Sequence, residues 1–313
     1  SCGPFYSVSS RDRVDFSDTH SSYYISIHEP LVVRTNNITI SGYGHNVTID
    51  GSGVSGLNNE CLRLSGNYDW VDYLTIKNCP SYGIWVDEIA NNAGGNYNSI
   101  YNMTLLGNYS GGIHFTDEDL DGYGGNNNGL YYSLIGATSQ SPTSCIVADA
   151  NGIGILLTGN ARANQISHNF ILCNNLDGIY DFYNDANHIH GNTIAGNLRS
   201  GIYLAGCQDI TIDQNFIGNQ VGTVAFGNAW HGIEITGTTA VTIGGASIAD
   251  ANVISGNGNS GIYIYGGSNT LTIDNNVIGI DAYLDGALPN GDAGIAIVSN
   301  TIPSDSGFSI VIG

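Results

Sequence analysis

Two clusters of side chains in this sequence have the types and spacing to do chemistry. In GIYDFYNDANHIH, Asp181, Asp185 and His188 lie close together, and Glu234 follows two repeats later. Carboxylates held about 5–9 Å apart can cleave a glycosidic bond, one as acid and the other as base or nucleophile. The plainer reading of the same residues is solvated loop carboxylates beside a surface histidine. The second cluster is Asp117-Glu118-Asp119-Leu120-Asp121-Gly122, the D-x-D-x-D-G opening of a calcium loop. It sets carboxylate oxygens at alternate positions and glycine at the sharp turn. Its twelfth position is Asn128 rather than a bidentate Glu. Asp117, Asp119 and Asp121 are therefore candidate Ca²⁺ ligands, with a merely acidic loop as the alternative.

The elements that must position these residues follow from a repeat of about 23 residues. Gly-Ile-x-apolar recurs at Gly154, Gly178, Gly201, Gly232, Gly261 and Gly294. Asn-x-Ile recurs at Asn169, Asn192, Asn215, Asn252 and Asn276. Segments such as Ile210-Thr211-Ile212 and Val241-Thr242-Ile243 alternate apolar with polar and carry β-branched residues, so they read as strands. One such unit cannot bury its apolar face alone and stacks on its neighbours. Parallel pairing of successive coils with right-handed crossovers predicts an all-β, single-stranded right-handed parallel β-helix. The stacked Asn residues then become corner ladders that satisfy one another's amides. Residues 1–31 read as an irregular N-terminal cap and 32–313 as one continuous helix, with loop insertions near 117–128, 218–231 and 279–293.

Over about residues 32–313 the chain resembles the pectin-lyase-like superfamily of secreted parallel β-helix proteins, and Asn215 to Ile297 looks especially like repeats of prokaryotic surface and exported proteins. The resemblance implies the fold and leaves function open, because that superfamily includes lyases, hydrolases, epimerases, adhesins and structural proteins. The paired-Asp, His-Gly and Arg-x-Lys signatures of polygalacturonases and the Asp-Pro-His signature of alginate epimerases are missing, so no catalytic residue carries over.

Charge restricts the partners. Asp and Glu number 27 against seven Lys and Arg, a net charge of −20. That balance repels nucleic acid, and it repels polyuronates unless Ca²⁺ bridges them. No apolar run is long enough to span a membrane. Cys2, Cys61, Cys79, Cys145, Cys173 and Cys207 lack C-x-x-C spacing, which argues against zinc and for disulfides outside the cytoplasm, with free buried thiols as the alternative. Cys61 and Cys79 could staple adjacent coils. Sequons at Asn37, Asn46, Asn102 and Asn108 are candidate glycosylation sites. The chain begins at Ser1 rather than Met, which fits a removed export peptide or, equally, a piece cut from a longer chain.

The outward middle residues of Gly-Ile-x-apolar are Trp85, His114, Tyr180, Tyr203, Glu234 and Tyr263, expected to form an aromatic stripe for sugars or protein partners. Thr39, Thr48, Thr75, Thr211, Thr242 and Thr272 read as a Thr row. The sequence stops in an apolar strand, so head-to-tail self-association is expected. The leading expectation is a non-enzymatic extracellular subunit of a filament, sheath or surface layer. The alternative is a carbohydrate-active enzyme or carbohydrate-binding adhesin on the aromatic face.

Overall fold

The computed structural model describes residues 13–14, 20–56, 59–88, 94–117, 124–220, 224–266, 270–298 and 309–312. Three parallel sheets of 11, 10 and 10 strands run along the molecule, and each coil contributes one strand to each in turn. A regular coil is Gln165–Ser167, Phe170–Leu172 and Ile179–Phe182. The next is His188–His190, Thr193–Ala195 and Ile202–Ala205. Like stacks on like: Ile166, Ile189 and Ile212 align in the first sheet, Ile171, Ile194 and Ile217 in the second, and Ile179, Ile202 and Ile233 in the third. All nine are fully buried in one continuous core. The expected β-helix is thus present. Its stack starts before residue 32, because Arg13–Val14, Ser22–Ser26 and Leu31–Val33 already pair with the following coil.

The corners explain the Asn-x-Ile signature, with one difference from expectation. Among the described residues several Asn ladders run along the stack rather than one, and in the regular coils the left-handed residue is the one before the Asn: His168 (φ 57°) before Asn169, Ala186 (φ 57°) before Asn187, Gly196 (φ 68°) before Asn197. The Asn itself supplies the hydrogen bonds. Asn192 Oδ1 accepts from both the backbone N–H (2.8 Å) and the side-chain amide (3.0 Å) of Asn169, while Asn192 Nδ2 donates to Ile166 O at 2.8 Å. Further ladders run Asn98–Asn128–Asn164–Asn187 and Asn108–Asn151–Asn174–Asn197–Asn228–Asn257, and Asn36–Asn67–Asn96–Asn126 are linked from backbone N–H to side-chain oxygen.

Insertions leave from all three corners, the segment 245–252 with its 3-10 turn Ile248–Asp250 lying between the first and second sheets. The segments 218–231 and 279–293 leave from the corner between the second and third sheets, as does 137–152. The segment near 117–128 leaves from the corner between the third and first sheets. Disulfides join Cys61 to Cys79 and Cys145 to Cys173. The first links adjacent coils, and the second ties the 137–152 insertion to the body. Cys207 is a free, buried thiol, and Cys2 lies outside the described residues. No described helix is long and apolar enough to cross a membrane.

Candidate functional site

In the third sheet the outward position reads, coil by coil, Arg63, Trp85, His114, Leu156, Tyr180, Tyr203, Glu234, Tyr263 and Ala296. The six residues singled out in the sequence therefore stand in one row, interrupted by Leu156. The Gly of Gly-Ile makes this close stacking possible. A Cβ on Gly178 would stand 2.6 Å from Gly201 O, and one on Gly232 would stand 2.6 Å from Gly261 O.

The C-terminal half of the row is partly exposed and polar. Tyr180 and Tyr203 stack with ring centroids 4.9 Å apart and planes 14° apart, so their faces cover one another and their edges face outward. The positions just before each Gly complete the site: Asp177, Ser200, His231 and Ser260 occupy the same place in successive coils. Ser200 N–H donates to Asp177 Oδ1 (3.0 Å), and Ser200 Oγ–H donates to Glu234 Oε2 (2.6 Å). Arg199 Nη1 pairs with Asp177 Oδ2 at 3.2 Å. Its guanidinium also lies 5.0 Å from the Trp230 ring and 5.9 Å from that of Tyr203. His231 stacks on Tyr263 at 4.3 Å and accepts from Ser260 N–H at 3.2 Å through Nδ1.

Asp177 is fully buried, and burial raises its carboxyl to about 6. Arg199 and the Ser200 N–H oppose that rise, and the charge of Glu234 adds to it. Burial lowers the His231 imidazole below its ordinary value. Together these coils present a band of phenol hydroxyls, a guanidinium, a carboxylate and an indole.

The N-terminal half of the same row sits on a buried polar cluster, with Arg63 and Trp85 half-buried and His114 buried. Arg63 lies 5.2 Å from the Trp85 ring and donates to Asp87 Oδ2 at 2.8 Å, with Glu60 Oε1 at 3.8 Å. His114 packs against Tyr82 (4.7 Å) and Trp85 (5.0 Å), and its Nε2 is 2.7 Å from Thr158 Oγ1. Only 8% of His114 is exposed; burial first, then the charge of Arg63, lowers its imidazole to about 3. Glu60, Asp87, Glu88 and Asp117 are all buried here.

Several sequence-predicted sites are placed otherwise. Asp181 points inward, in the row of Leu64, Val86, Phe115, Leu157, Leu204, Ile235 and Ile264. It is fully buried, accepts from Asn184 Nδ2 (2.7 Å) and Asn187 Nδ2 (3.1 Å), and is raised to about 6 chiefly by burial. Asp185 sits at the next corner and His188 in the first sheet, while Glu234 faces out of the third. Alternation along Ile179–Phe182 turns Asp181 away from all of them, so the four do not form one catalytic set. Asn108 is a fully buried ladder rung whose amide bonds Asn151 Oδ1 at 2.9 Å, which excludes it as a glycosylation acceptor. Asn37 and Asn46 are exposed, and Asn102 is half-buried. Asn128 is likewise a buried rung rather than a calcium ligand. Asp117 is buried, and Asp119 and Asp121 lie outside the described residues. The Thr row divides: Thr39, Thr211, Thr242 and Thr272 belong to the first sheet, Thr48 and Thr75 to the second.

The first sheet carries groups that sequence reasoning missed. Trp70 stacks on Tyr101 and Tyr101 on Tyr131, each at 4.6 Å, and Tyr132 stacks on His168 at 5.2 Å. Further along, His188, already singled out in the sequence, meets two residues that were not, His190 and Asp213. The signal was present as alternate residues in His188-Ile189-His190.

A family model described as "Right handed beta helix region" matches residues 123–278. No curated protein matches the sequence. Among solved structures, a periplasmic alginate epimerase is 13% identical, with a TM-score of 0.61 over 94% of this chain and 72% of that one. The A-module of an Azotobacter vinelandii mannuronan C-5 epimerase is 14% identical, with a TM-score of 0.55 over 93% and 88%. The enzymatically active domain of bacteriophage CBA120 tailspike protein 2 is 10% identical, with a TM-score of 0.56, and the match covers 93% of this chain and 47% of that one. Likeness at such identities is likeness of fold. By its coils, its ladders and these matches, the chain has the right-handed parallel β-helix fold.

Proposed function

We propose that this chain is an extracellular carbohydrate-binding protein that holds a neutral polysaccharide along the C-terminal half of its third sheet. The observation that carries this reading is the Asp177–Ser200–Glu234 network with Arg199, set among Tyr180, Tyr203 and Trp230. A band that alternates donors and acceptors beside aromatic edges suits a polyhydroxylated chain lying along the helix axis. Solved structures of the same fold are named as an alginate epimerase, a mannuronan epimerase and a phage tailspike active domain, which supports a carbohydrate ligand. The net charge of −20 favours a neutral glycan over a polyuronate. Two disulfides suit an oxidising, extracellular setting. Binding rather than hydrolysis is favoured because Asp177, the acid nearest Glu234 in this network, is sealed from solvent beneath Arg199.

Calorimetric titration with neutral and uronate polysaccharides tests the proposal. Saturable binding of a neutral polymer, lost in Trp230→Ala and weakened in Glu234→Gln, is the expected result. Binding that is unchanged in both variants, or confined to uronates, would overturn it.

The filament expected from the sequence fits these neighbours less well. Sedimentation at rising concentration would reveal head-to-tail association, and a constant monomer mass would remove that reading.

A further inference from the structure

Away from the third sheet, the strand His188–His190 turns Ile189 into the core and both imidazoles outward on one face. Asp213 stands directly opposite His190 in the following coil. Its carboxylate lies between the two rings: His190 Nδ1 is 2.5 Å from Oδ1, and His188 Nε2 is 3.2 Å from Oδ1 and 3.1 Å from Oδ2. One ligand atom from each of the three residues lies within 4.8 Å of the others.

We propose that His188, His190 and Asp213 form a binding site for a divalent transition metal of the zinc type. Metal–nitrogen and metal–oxygen bonds of about 2.0–2.2 Å hold ligand atoms at nearly this separation, so only small side-chain rotations are needed. Two imidazoles and one carboxylate form a borderline donor set that suits zinc, cobalt or nickel and not calcium or magnesium, which take all-oxygen cages. Three protein ligands leave coordination positions open toward solvent.

The backbone beneath is already fixed. His188 N–H donates to Asn164 O at 2.9 Å, Gly191 N–H donates to Asp213 O at 3.1 Å, and Asn215 Nδ2 donates to the same carbonyl at 2.8 Å. His168 meets the His190 ring edge-on at 5.2 Å and restricts its rotation, while its own Nδ1 is engaged by Ser167 Oγ at 2.7 Å. The side chains of His188, His190 and Asp213 are 39%, 21% and 16% exposed, so an ion reaches them without unfolding. An ion here would also offset part of the chain's large negative charge.

The test titrates chelator-treated full chain with Zn²⁺ by calorimetry and with Co²⁺ by visible absorption. One ion per chain is expected, with a tetrahedral-type Co²⁺ spectrum. Affinity should fall at least tenfold in His188→Ala, His190→Ala and Asp213→Asn. Added Zn²⁺ should raise the melting temperature of the unaltered chain and leave that of Asp213→Asn where it was. Zn²⁺-induced shifts of the His188 and His190 ring resonances give the same answer without any substitution. Absence of saturable binding, or affinity in Asp213→Asn and His190→Ala equal to that of the unaltered chain, would overturn the assignment.

Discussion

The two halves of the third sheet's outward row share one register and one motif, yet they have become different environments. At Arg63, Trp85 and His114 the row rests on buried carboxylates: Arg63 and Trp85 are half-buried, His114 is 8% exposed, and Glu60 beside Arg63 is fully buried. At Tyr180, Tyr203, Glu234 and Tyr263 it stays partly open, with Ser200, Arg199 and Trp230 filling in around it. A strand position fixes the direction of a side chain. The residues at the corners decide whether that direction leads to solvent or into a second, polar interior. In the proposed glycan-binding reading, recognition lies on the rear half and the front half keeps a structural role.

The largest expected effect separates the two arginines. Arg63→Ala leaves the buried Glu60 without its cation and takes a short bond from Asp87, so urea unfolding should show a loss of about 3–5 kcal/mol. Arg199→Ala should cost no more than about 1 kcal/mol, since Arg199 is one-third exposed and Asp177 can take up a proton. Equal losses would break the contrast.

The second prediction uses opposite pH signatures. His114 is lowered to about 3 in the folded chain from an ordinary 6.5, so its stabilising contribution is present above about pH 6.5 and is lost as pH falls toward 3. Asp177 is raised to about 6 from 3.8, so the folded state binds the extra proton and stability falls as pH rises from about 4 to 6. Unfolding curves across pH 3–7 should show His114→Gln gaining relative stability at the acid end. Asp177→Asn should gain it at the neutral end. Same-signed changes would contradict the two environments.

A smaller effect concerns recognition. Tyr203→Phe keeps the ring stack and removes one hydroxyl, which should weaken glycan binding by about 0.5–1.5 kcal/mol with little change in unfolding. Trp85→Phe should leave binding untouched. Smallest of all, Thr242→Val on the first sheet should shift stability by less than about 0.5 kcal/mol and binding not at all, in keeping with a Thr row that is strand surface.

Much of this was legible in the sequence. Gly-Ile-x-apolar and Asn-x-Ile carried the fold because stacking forces the same residue type into the same place, coil after coil. The row from Trp85 to Tyr263 followed from alternation alone. The ladders through Asn128 and Asn174 were harder to see, because insertions of unequal length between Asn98 and Asn187 and between Asn108 and Asn257 break the spacing that marks the regular one. Asp181 misled because a carboxylate in an otherwise apolar inward row is satisfied by Asn184 and Asn187, a compensation visible only in three dimensions. Asp177, Ser200 and His231 sit at a constant offset before Gly-Ile and could have been singled out. That they form a network depends on distances that the sequence does not contain.

The central claim is that the rear half of the third sheet is the glycan-binding face, and aromatic-ring NMR shift mapping with a neutral oligosaccharide tests it most directly. The account predicts perturbations confined to Tyr180, Tyr203, Trp230 and Tyr263. Perturbations centred instead on Trp70, Tyr101 and Tyr132 of the first sheet, or none at saturating ligand, would contradict it.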